Sequence, residues 1–111
     1  MVRRQRDRGI TPAAPERAAR VAHWLALTRE VLPGMAAAQR WPIALDHCFM
    51  RVCLDEAIGA RWSDVVRRPA IRHLSDAQLE AAIAVAEAIA REPARLAPLN
   101  AASLAKRGKR E

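Results

Sequence analysis

Trp41-Pro42-Ile43-Ala44-Leu45-Asp46-His47-Cys48-Phe49-Met50-Arg51-Val52-Cys53-Leu54-Asp55-Glu56-Ala57-Ile58-Gly59 reads as one helix, opened by a proline and closed by a glycine. Proline is pre-organised for a first helical turn, and glycine readily takes the left-handed conformation in which helices commonly end. On a helical wheel the segment is apolar nearly all round, with Ile43, Leu54 and Ile58 on one side and Leu45, Cys48, Phe49 and Val52 on another. A helix apolar on most faces belongs inside a core. The sequence therefore predicts an all-α protein, a compact bundle of four to five helices around this buried central helix.

Upstream, Thr11-Pro12 or Ala14-Pro15 starts a first helix, with Glu16 in its first turn. Ala18, Val21, Leu25, Thr28 and Leu32 recur at helical spacing with Trp24 beside the stripe, while Arg17, Arg20, Arg29 and Glu30 fall largely off it. Pro33-Gly34 should end or kink this helix near residue 32, and Met35 to Gln39 resumes it. Downstream, Arg61 to Arg68 reads as a short helix using Trp62, Val65 and Val66 as contacts and stopped by Pro69. Ala70 to Leu74 reads as a turn or a single helical turn. Ser75, with Gln78 three residues on, forms a capping box. The helix behind it buries Leu79, Ile83, Ala86 and Ile89 or Ala90, turns Glu80 and Glu87 outward, and ends at Pro93. Arg95 to Leu104 supplies a last short helix that docks Leu96, Leu99 and Leu104.

Composition agrees. The 111 residues suit one domain with one core, and 51% are apolar, mostly Ala and Leu, with one Phe and no Tyr. The formal charge is +7, unevenly spread. Residues 1 to 8 and residues 105 to 111 each carry four basic side chains against one acidic, leaving the body almost neutral. The expected division is a flexible basic arm over 1–10, a helical domain over 11–104 and a basic tail over 105–111. Lacking an apolar stripe, both ends should contribute little to the core, and a trimmed protein should melt almost unchanged.

Basic ends of this kind bind phosphate polymers without reading sequence. Arg3, Arg4, Lys106, Arg107, Lys109 and Arg110 are the candidate contacts there, joined by Arg61, Arg67, Arg68 and Arg72 in the body, where Asp64 is the one acid nearby. A compositional explanation competes: arginine outnumbers lysine seventeen to two, as a GC-rich coding sequence would produce. Asp55 stands four before Gly59, where a helix-turn-helix needs a small residue, so groove reading by that motif is disfavoured.

His47, Arg51 and Asp55 stand at i, i+4 and i+8 on the helix expected to be most buried. Polar groups in a core cost several kcal/mol unless satisfied. Two arrangements fit: an Arg51–Asp55 pair at the edge of the core, or a pocket in which Arg51 anchors an anion. Trp41 and Trp62 are expected to fill the core; the alternative is a part-exposed ring beside Arg40 or Arg61 that stacks on a base or seats a partner. Asp46-His47 and His47-Cys48 are not dyads, because consecutive helical side chains diverge by about 100°. Cys48 and Cys53 diverge by about 140° and cannot bridge. No zinc spacing, P-loop, GxGxxG, HExxH or EF-hand pattern occurs, so neither metal nor cofactor is expected. The paired arginines near the start precede no apolar run, and no stretch approaches a membrane span, so the expected location is the cytoplasm.

The leading functional expectation is a small basic protein associating with nucleic acid mainly through phosphates. The alternatives are an adaptor that offers an apolar helical face to a protein partner or a second copy, and a small enzyme or ligand-binding domain centred on His47, Arg51 and Asp55.

Overall fold

Pro33 does not end the first helix. In the computed structural model, which describes residues 14–108, α1 (Ala14–Ala26) passes through a π-helical turn (Leu27–Val31) into α2 (Leu32–Gln39). Pro33 has no N–H to donate, and its ring would crowd the carbonyl four residues earlier in a regular helix. The widened turn, closed by the Leu32 N–H on the Leu27 carbonyl, relieves this. It also keeps the stripe aligned. A four-residue step overshoots an α-helical turn by about 40°, so Trp24, Thr28, Leu32 and Ala36 would drift off one face. With the wider turn between them all four are buried, together with Leu27. Ala18, placed in the stripe by spacing alone, is exposed.

α2 stops at Arg40, which takes a left-handed conformation with φ 54°. The next helix, α3 (Asp46–Ile58), begins four residues later than Pro42 suggests. Residues 41–45 are irregular, and the Asp46 carboxylate accepts from the His47 N–H in the first turn. Gly59 closes α3 with φ 80°, as its position implies.

Phe49, Val52, Cys53, Leu54 and Asp55 of α3 are all buried, and α3 packs against α5 (Asp76–Arg91), α6 (Leu96–Ala105) and the π-helical turn. Burial pushes the Cys53 thiol up to about 12, so it packs as a small hydrophobe. Ser75 opens α5 with both arms of the capping box formed, and Leu79, Ala82, Ile83, Ala86 and Ile89 fill the core behind it. Glu80 and Glu87 are not idle on the outer face: Arg20 and His23 of α1 pair with them, as Arg17 does with Asp76.

Residues 61–68 contain less helix than expected, one 3-10 turn at Trp62–Asp64, before the single turn α4 (Ala70–His73). A second 3-10 turn at Pro93–Arg95 leads into α6. Among the described residues all regular structure is helical, and no helix is long and apolar enough to cross a membrane.

Candidate functional site

The buried polar seam lies between α3 and α6. Arg51 and Asp55 are four apart on α3, and Asn100, Ser103 and Arg107 continue the face of α6 that begins with buried Leu96. The two sets interlock. Arg51 donates from Nη1 to Ser103 Oγ at 2.7 Å and from Nη2 to Asn100 Oδ1 at 2.8 Å. Ser103 Oγ in turn donates to Asp55 Oδ2 at 2.5 Å, so one hydroxyl relays between guanidinium and carboxylate. Asp55, fully buried, also accepts from the Trp62 backbone N–H at 2.9 Å and is bridged by both Nη atoms of Arg107.

Of the two arrangements the sequence left open, the Arg51–Asp55 pair is not formed. Asp55 pairs instead with Arg107. The reason is geometric, since Arg107 reaches Asp55 across the seam while the Arg51 guanidinium is held by two neutral oxygens of buried α6 residues, Ser103 and Asn100. His47 does not join the seam; it is exposed and its ring lies 3.5 Å from Asp46. Trp41 stands elsewhere, edge-on to Phe49 at 5.6 Å and donating from Nε1 to the Pro93 carbonyl.

Arg107, expected within the basic tail over 105–111, is drawn into the seam. α6 runs to Ala105, and the Arg107 side chain is only 14% exposed against a carboxylate in the core. Lys106 is half-buried. Arg3, Arg4, Lys109 and Arg110, and the arm proposed over 1–10, lie outside the described residues. Arg61, Arg67, Arg68 and Arg72 are exposed, and the Arg68 guanidinium lies 5.1 Å from the centre of the Trp62 ring. Among the described residues none of these four forms an ion pair, and no three metal-ligating side chains gather.

Beside the seam opens a cleft of about 390 Å³. Val21, Trp24 and Leu25 of α1 form one wall, and Met50 and Leu54 of α3 another. Trp62 with Pro69, Ala70 and Ile71 completes it. Arg17 fixes this third wall by donating to the Ile71 carbonyl at 3.0 Å while pairing with Asp76. Three basic side chains enter the lining: Arg29, His47 and Arg51. Arg51 thus stands where two faces of α3 meet, bordering the cleft while its guanidinium is bonded to α6.

Sequence reasoning missed Asn100 and Ser103, both buried. The available signal was their spacing from Leu96, at i+4 and i+7, which extends an apolar stripe with polar residues. Comparison with protein-family models, with curated proteins and with solved structures finds no match to the chain.

Proposed function

We propose that the protein is a binding domain for a small organic ligand, held in the cleft between α1, α3 and residues 62–71 of a bundle assembled around α3. The cleft carries this reading. Its volume of about 390 Å³ lies within the range of small-molecule sites, and its walls combine aromatic and aliphatic side chains with a few polar groups. It is too small to take a helix of a protein partner along its length, which disfavours the adaptor reading for this face. Ala70→Phe should fill the cleft from the wall that Arg17 holds in place. The neutral dye Nile red is expected to bind the unmodified protein saturably at one site, with a blue shift in emission. Ala70→Phe should weaken that binding roughly tenfold or more with little change in melting temperature. Equal binding by both proteins would rule the cleft out.

A second reading follows from Arg61, Arg67, Arg68 and Arg72, four exposed arginines in one short segment without a carboxylate partner among the described residues. It is phosphate-level association with nucleic acid. Charge reversal at Arg67 and Arg68 is expected to weaken binding to a single-stranded oligonucleotide. The slope of log affinity against log salt should flatten by roughly 0.7 for each phosphate that the variant no longer neutralises. No measurable affinity at low salt would remove this reading and leave the cleft untouched.

A further inference from the structure

We infer that the ligand of the cleft is an amphiphilic monocarboxylate whose carboxylate is taken by Arg51 and whose apolar body lies on the tryptophan and aliphatic walls. This rests on the cleft being a ligand site and adds the chemistry of the ligand. Asp55 sets the charge balance. A carboxylate offers about four lone-pair positions. Trp62 N–H and Arg107 Nη2 occupy Oδ1, and Ser103 Oγ and Arg107 Nη1 occupy Oδ2. Asp55 has no capacity left for Arg51, although it lies one helical turn away.

Among the described residues the seam consequently holds two guanidiniums against one carboxylate, a surplus of one positive charge, and that surplus sits on Arg51. Its two bonds go to a hydroxyl and an amide oxygen, which orient the guanidinium without neutralising it. A guanidinium carries five N–H donors in a flat fork, so about three remain after those bonds. Two adjacent donors on such a fork match the two oxygens of a carboxylate. Among the described residues Arg51 has no carboxylate partner; a partly buried cation in that state is unfavourable, and a bound anion would compensate it.

Charge and walls together narrow the class. The surplus is a single charge, which one carboxylate balances and a phosphate dianion would overshoot. Arg29, the other arginine of the lining, already faces Asp46 at 3.8 Å. Trp24, Leu25, Met50, Leu54, Trp62 and Ile71 offer hydrocarbon and ring surface and call for an apolar body on the ligand.

Decanoate, decan-1-ol and the Arg51→Met variant test this, read by the change in tryptophan emission of the full chain, in which Trp24 and Trp62 line the cleft and Trp41 gives a constant background. Methionine keeps the aliphatic volume of the arginine stem and removes the charge. Decanoate is expected to bind the unmodified protein roughly tenfold or more tighter than decan-1-ol, the value of a charge-assisted contact in a partly buried site. Arg51→Met should abolish that preference by lowering affinity for decanoate to that of the alcohol. Arg91→Met, an equal change in net charge on the exposed surface away from the cleft, should leave the preference intact. Equal binding of acid and alcohol by the unmodified protein would overturn the carboxylate inference while the cleft stands, and this comparison needs no variant to fold. If neither compound binds and Nile red does not bind either, both readings fall.

Discussion

Arg107→Ala is expected to destabilise the protein by about 3–5 kcal/mol, as much as a large deletion in the hydrophobic core. Removing Arg107 leaves the fully buried Asp55 without a directly paired cation, since the remaining guanidinium of the seam, Arg51, reaches it only through the Ser103 hydroxyl. The Trp62 N–H and the Ser103 hydroxyl would still reach the carboxylate, but neither carries charge. Cutting the chain after Leu104 should do at least the same damage, contrary to the small effect expected of a detached tail. Equilibrium unfolding in urea measures it, and a double-mutant cycle with Asp55→Asn isolates the pair. Coupling near that of an exposed ion pair, below about 1 kcal/mol, would place Arg107 back in solvent. Arg107→Ala with Asp55→Leu should recover much of the loss, because apolar replacement of both members of a buried pair is often neutral.

Helix content was legible wherever local chemistry decides it. Ser75 and Gln78 form the box their spacing announces, Gly59 takes the left-handed cap, and the α5 stripe is buried as its periodicity requires. Boundaries set by competition were less so. Pro42 is compatible with a first helical turn, yet the chain turns at Arg40 and leaves residues 41–45 irregular. Pro33 signals a stop when taken alone, because a π-helical turn is not written in any residue; it is the least disruptive way for packing to keep both Trp24 and Ala36 inside. The site divides in the same way. The need to compensate Arg51 and Asp55 follows from one helix and is readable from it. The partners could not be read, because Asn100, Ser103 and Arg107 lie about 50 residues away and meet α3 only through tertiary packing. Arg107 was hidden further by its neighbours, since four basic residues in a row of seven resemble a solvated tail when only one of them is drawn into the core.

Phe49→Ala should cost about 3–5 kcal/mol, through lost burial and the cavity left behind. Phe49 is completely inaccessible and lies edge-on to Trp41, with ring planes at 62°. Trp41 is itself anchored by its bond to the Pro93 carbonyl, so neither ring is free to close a void. Phe49→Leu retains most of the volume and should cost less than half as much. The same position separates stability from binding. Phe49 belongs to the face of α3 turned away from the cleft, whereas His47, Met50, Arg51 and Leu54 border it. Phe49→Leu should therefore lower the unfolding midpoint and leave Nile red and decanoate affinities unchanged at temperatures where the variant is folded. Arg51→Met should lower decanoate affinity with a smaller change in midpoint, because its bonds run to neutral partners and its stem is refilled. If Phe49→Leu weakened both ligands as strongly as Arg51→Met weakens decanoate, the fluorescence changes would report loosening of the core, and the cleft would lose its claim to be the site.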